Sequence, residues 1–494
     1  MSEASVRDSA SRRRILPKRT KIAFSAGALE EAMVSAASIT TMLFYNQVLG
    51  VSAALCGTAF FIASVVDGIS DPLVGGLSDS VQTRWGRRHP FMFGAAFPLG
   101  LCFYLMYQPP DGLSEQGLFW WFTLTMVGMR IAKTFYAVPH AALGAELTDN
   151  YEERTSIFGW NGSFMMVGGI LISVFLMFVV FPTDGDQNGM LVESRYQTLA
   201  ILGGVFCFVM VMLCTVGTAD QIPFLHAQDQ LMKRVKSSYA DALQLIWVNI
   251  RVLLVNPSYI SVVACWLVLA IAGGITSTVG TYALIYAFEF TSEQIAIRDI
   301  IRLPGALLCV AVSVYFTRHL DKKYAVIATL AITAFLLGLP YCLRLLGWAP
   351  ANGSIWLLVV FFSIYFLAFI TYPVVSIVID SQLTDIADEH ELQTGNRAEG
   401  LIMSIRTFGM KAIWGIGGLL SGFYLEFIDF PENASAATLT QEHIDGLLYM
   451  MGPIYYIIIY GGLGFCFMYR INKKRHEEIL QELERRRSGE SPSL

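Results

Sequence analysis

Asp67 and Asp71 stand four residues apart inside an otherwise apolar stretch. On a helix that spacing puts both carboxylates on one face. Two like charges so placed repel each other in a low-dielectric setting, and a bound cation or a shared proton relieves the repulsion. The bland alternative is that Asp71, just before Pro72, caps a helix end while Asp67 is ion-paired. A second apolar stretch holds Arg130, Lys133 and Thr134. Packed beside the first, it would offer a neutral oxygen from Thr134 and a competing positive charge from Lys133. Glu30 and Glu31 lie in the first apolar stretch, and Arg406, Lys411 and Trp414 in the eleventh. Opposite charges on different helices can pair across a cavity and break on binding, which couples two events; for Glu30, a local partner on a neighbouring helix is an equal alternative. His140, next to Pro139, is a candidate for binding solute or a proton, or else a satisfied packing residue. Arg298, Asp299 and Arg302, at the outer start of the eighth stretch, are expected to snorkel or to pair with one another.

These residues need helices that cross a bilayer. Of 494 residues, 54% are hydrophobic and 15% charged, and the mean hydropathy is +0.53, a balance that excludes an ordinary soluble globule. Apolar runs of roughly 20 residues, enough to cross about 30 Å of hydrocarbon, recur about twelve times. Their predicted starts lie near Ile22, Ala53, Pro90, Leu118, Ser156 and Thr198, then Tyr259, Ala296, Tyr324, Ile355, Gly400 and Leu448. Each ionisable group inside such a run costs at least about 2.5 kcal/mol, so it needs a partner, water or a task. The 8 cysteines all fall in apolar runs without metal-ligand spacing and read as packing residues.

Lys and Arg crowd the start, the loop at Arg84, Arg87 and Arg88, the middle loop and the tail, which places both termini in the cytoplasm by the positive-inside rule. The expected organisation is a basic segment 1–20, a six-helix bundle 21–217, a middle loop 218–257, a second six-helix bundle 258–471 and a tail 472–494. The tail, with Glu and Arg interleaved, reads as a solvated helix. Weak internal symmetry, Asp79 with Arg87 and Arg88 against Asp321 with Lys322 and Lys323, suits a duplicated transporter.

Several long runs carry a resemblance: Asp67-Gly-Ile-Ser-Asp71-Pro72-Leu-Val-Gly75-Gly76-Leu-Ser-Asp79, then Arg84-Trp85-Gly86-Arg87-Arg88-His89-Pro90-Phe91. Val138-Pro139-His140 through Thr148 with Glu153-Arg154-Thr155 follows, and then Asp385-Ile-Ala-Asp388 and Thr394-Gly395-Asn396-Arg397-Ala-Glu399-Gly400. In these the chain resembles the glycoside-pentoside-hexuronide:cation symporter family, of melibiose permease type. The resemblance implies an all-α membrane protein with the major facilitator fold, two six-helix bundles and a cation-coupled symport activity. It implies that Asp67 and Asp71 are cation-binding carboxylates, Thr134 their neutral oxygen, and Lys411 a lysine near both sites. The chain departs from the melibiose permease's galactoside contacts at Ala137 and Ala141, replaces around Asn161 a fifth-helix arginine common in the family, and carries Glu31 and Ala32 where a first-helix Lys-Asp pair aligns.

The expected activity is therefore secondary transport by alternating access, with Na⁺ or H⁺ driving a small solute, a glycoside or other sugar, and with an amphipathic solute or a non-transporting sensor as rivals. A gate is expected from Asp79, Arg84, Arg87 and Arg88 with Glu146, Arg154, Asp385, Asp388 and Arg397. No Walker loop, HExxH or GxSxG motif points to an enzyme. No cofactor is expected beyond the coupling ion, and the partners are the lipid bilayer and the solute, without nucleic acid, for a monomer in the cell membrane.

Overall fold

The computed structural model describes residues 15–185, 187–226, 249–396, 398–435 and 438–488. Six helices open the chain: α1 (Lys18–Val48), α2 (Ala53–Ser80), α3 (His89–Met106), α4 (Glu115–Glu146), α5 (Tyr151–Phe175) and α6 (Glu193–Gly217). Six more follow: α7 (Pro257–Ala287), α8 (Ser292–His319), α9 (Lys322–Leu345), α10 (Ile355–Thr394), α11 (Glu399–Phe427) and α12 (Gln441–Cys466), and then α13 (Lys473–Ser488). Among the described residues nine helices are long and apolar enough to cross a membrane, and α8, bent by 50°, makes ten. The remaining two, α4 and α11, are 32 and 29 residues long, ample at about 1.5 Å per residue, and fall short in hydropathy while carrying charges in mid-helix. The twelve expected spans are thus all present as helices.

Local chemistry sets the ends. Ser52, Ser114, Asn150, Asn256, Ser354 and Thr440 cap α2, α4, α5, α7, α10 and α12, each accepting from an otherwise orphaned backbone N–H. Gly395, at φ 74°, stops α10 in the left-handed conformation. Both α1 and α7 finish in a π-helical turn, Phe44–Val48 and Ala283–Ala287, with a positive-φ residue shortly after, Gly50 and Glu289. That shared ending is a structural counterpart of the internal symmetry seen in the charges.

Two compact units form. The first comprises Met1–Lys236, Phe290–Asp299 and Gly418–Leu439. In it α3 packs on α4 and α6, α2 on α4, and α1 on α5 and α6. Gly100 and Gly204 bring α3 and α6 together: a Cβ on Gly100 would lie 2.6 Å from the Gly204 oxygen. The segment Phe290–Asp299 is tied in by Thr183, which donates to Glu293 at 2.8 Å, and by Ser173, which donates to Asp299 at 2.6 Å. Arg298 and Asp299 are buried and paired with each other, Arg298 Nε 3.7 Å from Asp299 Oδ1, rather than snorkelling.

The second unit comprises Ser237–Glu289, Ile300–Gly417 and Thr440–Leu494. Its core joins α7, α9, α10 and α12 through residues such as Val262, Ala334, Val378 and Ile459. The tail helix α13 corrects the solvated-end expectation: Ile479 and Leu483 are buried in that core, and Arg486 donates to the Leu392 carbonyl at 2.7 Å. Outward-facing Leu73, Phe97, Leu124, Leu307 and Ile457 are more than half exposed, as lipid contact requires.

Candidate functional site

The face of α4 that carries Arg130, Lys133 and Thr134 organises the polar interior of the first unit. Thr134 Oγ1 lies 3.2 Å from Asp67 Oδ1 and 3.1 Å from Asp71 Oδ1, donating to either. Ser70 Oγ lies 3.0 Å from the same hydroxyl. A hydroxyl has one hydrogen, so it serves the two carboxylates in turn and keeps lone pairs to offer a cation. Four side-chain oxygens therefore gather at one point, and Ser70 is a member that the sequence reading missed. Its position, three residues after Asp67 and one before Asp71, was the available signal. Pro72 has no N–H to return to the Gly68 carbonyl, which adds a backbone oxygen without its helical partner in the same turn. Asp67 is 3% exposed, and its Oδ2 is 3.5 Å from Arg130 Nη1.

Lys133 does not fill this cradle. Its ammonium sits 2.5 Å from Glu31 Oε2 on α1, and Ser35 donates to the other oxygen of Glu31 at 3.2 Å. The structure thus separates two clusters that the sequence left merged: Asp67, Ser70, Asp71, Thr134 and Arg130 in one, Glu31 and Lys133 in the other. Glu30 is 1% exposed, and its Oε1 has no hydrogen-bond partner among the described residues. Asn161 Oδ1 on α5 is likewise buried without a partner.

His140 is buried and hydrogen-bonded. Nε2 donates to the Phe24 carbonyl at 3.0 Å, which fixes the tautomer, and the ring stacks on Phe24 at 4.2 Å and near Tyr136 at 5.2 Å.

At the end of this unit where α2 meets α3, Arg88 donates to Glu146 from Nε at 3.1 Å and Nη2 at 2.7 Å, to Ser78 at 2.7 Å, and pairs with Asp79 at 2.5 Å. Arg87 reaches the same Glu146 oxygen at 3.0 Å. Burial pulls the Arg88 guanidinium down, but Glu146 and Asp79 more than offset it and hold the group charged. Arg84 instead lies over Trp85, and Arg154 donates to the Thr148 carbonyl at 3.2 Å. Glu153 takes Lys21 at 2.7 Å rather than an arginine of the loop.

In the second unit Asp385 accepts from Lys322 at 2.7 Å and from Tyr469 at 3.1 Å, and His476 lies 3.2 Å from Asp388. Arg406 pairs with Asp380 at 2.8 Å, its guanidinium 4.7 Å over Trp266. Arg397 lies outside the described residues, as do the side chains of Lys411 and Trp414 on α11.

A family model described as MFS/sugar transport protein matches residues 23–473. The chain is 24% identical to the putative glycoside/cation symporter YagG of Escherichia coli (strain K12), covering 91% of each chain. It is 23% identical to the isoprimeverose transporter of Lactiplantibacillus pentosus, covering 92% of this chain and 89% of that one. The crystal structure of a D-xylose-proton symporter superimposes with a TM-score of 0.58 at 15% identity, over 91% of this chain and 96% of that one, which establishes the shared major facilitator fold.

Proposed function

The chain belongs to the MFS/sugar transport protein family, a multi-pass membrane transporter and not an enzyme, and on that premise we propose that it is a cation-coupled symporter of a sugar-like solute. The observation that carries the reading is the Thr134 hydroxyl set between the carboxylates of Asp67 and Asp71. Several oxygens of mixed charge around one point suit a desolvated hard cation. A proton needs one of them. With Lys133 engaged by Glu31, the reading favours Na⁺ over H⁺ at this cradle. The names of YagG and of the isoprimeverose transporter support a glycoside as the solute class.

Binding of the cation removes the repulsion between Asp67 and Asp71, which lowers the free energy of the loaded carrier in the conformation that closes over it. The site then opens to the other side of the membrane, cation and solute leave together, and the empty carrier returns. The basic loops support cytoplasmic termini, and on that reading the Arg87 and Arg88 clamp on Glu146 sits at the inner end of its unit and latches α2, α3 and α4 there. The protein works as a monomer in the bacterial inner membrane, without a resident cofactor or a nucleic-acid partner.

The test separates cation from solute. Thermal unfolding of the purified protein in NaCl is compared with choline chloride at fixed pH, for wild type, Asp67→Asn and Asp71→Asn. A ligand at a hundred times its Kd stabilises by about 2.7 kcal/mol, so a Na⁺-specific rise in wild type that both variants lose is expected. The same rise in the variants would refute the site.

A groove of about 690 Å³ between α1 and α5, walled by Leu29, Trp160, Phe164, Val167 and Leu171, favours a second reading, an amphipathic solute. Competition of radiolabelled pentoside uptake by alkyl glycosides against free sugars discriminates: stronger inhibition by the alkyl series supports the amphipathic reading.

A further inference from the structure

Glu30 takes no part in the cradle or in the clamp. It is 1% exposed, and its Oε1 is sealed from solvent with no hydrogen-bond donor among the described residues. The charged and titratable groups around it come from three helices. Its own α1 carries Glu31. From α4 come Lys133, Arg130 and Tyr136, and from α6 Cys207. At this level α5 meets α1 through Gly168 and Gly169, which bring no charge. Lys133 could neutralise Glu30 but is held by Glu31 at 2.5 Å, while Arg130 lies by Asp67 at 3.5 Å.

A carboxylate with one oxygen sealed and unpartnered in this way pays a large penalty of lost hydration. A metal cation cannot relieve it, because the enclosed oxygen offers neither the room nor the further oxygen ligands that such an ion requires. A proton needs no room and no second ligand.

We propose that Glu30 is a proton-binding site distinct from the Asp67–Asp71 cradle, occupied while Lys133 is paired with Glu31. Release of the proton to water leaves a carboxylate at Glu30, and Lys133 meets that charge by turning from Glu31. Glu31 can be left alone because its side chain is 34% exposed and reaches solvent. The Lys133 ammonium thus moves between two adjacent carboxyls as one proton comes and goes, and the protonation of Glu30 is linked to the state of the α1–α4 ion pair. The site does not depend on which cation or solute the cradle serves.

Infrared spectroscopy of the purified full-length protein in D₂O tests this without a solute. The carbonyl stretch of a protonated carboxyl in an apolar setting falls above the amide bands. Such a band is expected in wild type at neutral pH, to vanish in Glu30→Gln, to persist in Asp71→Asn, and to shrink in Glu31→Gln, where Lys133 is released to Glu30. If Glu30→Gln does not fold, Glu30→Asp serves: a displaced band supports the assignment and an unmoved band overturns it. A wild-type spectrum without the band, or a band untouched by Glu30→Gln, overturns it as well. Failure here with an intact Na⁺-dependent thermal shift leaves the cradle standing, and the reverse pattern leaves the proton site standing.

Discussion

The Arg88–Glu146 contact allows its energy to be worked out in advance. At 2.7 Å and an effective dielectric of about 20, two unit charges attract by roughly 6 kcal/mol before desolvation is subtracted. Their side chains are 6% and 17% exposed, so they have given up most of their hydration, and removing one partner of a fully buried pair costs about 3–5 kcal/mol. Neither group is left alone, however: without Glu146, Arg88 keeps Asp79 and Ser78, and without Arg88, Glu146 keeps Arg87. Glu146→Gln and Arg88→Met should therefore each cost about 2 kcal/mol, below the fully buried range. The double variant should be more stable than the sum by about 1.5 kcal/mol, since the interaction can be lost only once. The assay is a double-mutant cycle on reversible unfolding in mixed micelles. A cationic group held above its ordinary value by its acidic partners, as Arg88 is by Glu146 and Asp79, keeps its stabilising effect until strongly alkaline pH, so the coupling should be flat between pH 6 and 9. Single effects that add to within about 0.5 kcal/mol would show that the clamp carries no energy of its own.

His140→Phe keeps the stack on Phe24 but loses one hydrogen bond, so it should cost about 1 kcal/mol and leave the pH profile of uptake unchanged; a folded variant with altered coupling would return His140 to the ion pathway. Ile479→Ala with Leu483→Ala should lower stability by about 4 kcal/mol or more if the tail helix is part of the core, and an unchanged unfolding midpoint would restore it to the solvent. Burial first, then Glu115 and Glu426, push the Glu432 carboxyl up from its ordinary 4.5. Its proton is held more tightly in the folded state, so stability is lost as pH rises through that raised value. Glu432→Gln should thus gain on wild type between acid and neutral pH, by at most about 0.5 kcal/mol for so exposed a group; a wild type that gains on the variant over that range would reverse the sign.

Hydropathy located the spans where apolar residues begin abruptly. The starts of α2 and α10 fall at Ala53 and Ile355 as expected. It placed α12 seven residues late, near Leu448 instead of Gln441, because the first turns are Gln441, Glu442, His443 and Asp445 and the start is set by the Thr440 capping box. That Asp67 and Asp71 share a face was legible because a carboxylate pair four residues apart on a helix is a one-dimensional pattern, and a family run enclosed it. The direction of Lys133 was not. Its neighbour Thr134 points about 100° around the helix, and only the packing of α1 against α4 shows that the ammonium turns to Glu31 and not to the aspartates. The buried face of the tail was written in Ile479 and Leu483, one helical turn apart, but the charges around them masked it.

The claim that Asp67 and Asp71 couple a cation to solute movement is tested most directly by uptake of a radiolabelled pentoside into vesicles with an imposed Na⁺ or H⁺ gradient. Wild type should accumulate the label only with an inward gradient of the coupling ion, Na⁺ on this account, and Asp67→Asn and Asp71→Asn should abolish that accumulation. Gradient-driven accumulation that survives in either variant would contradict the account.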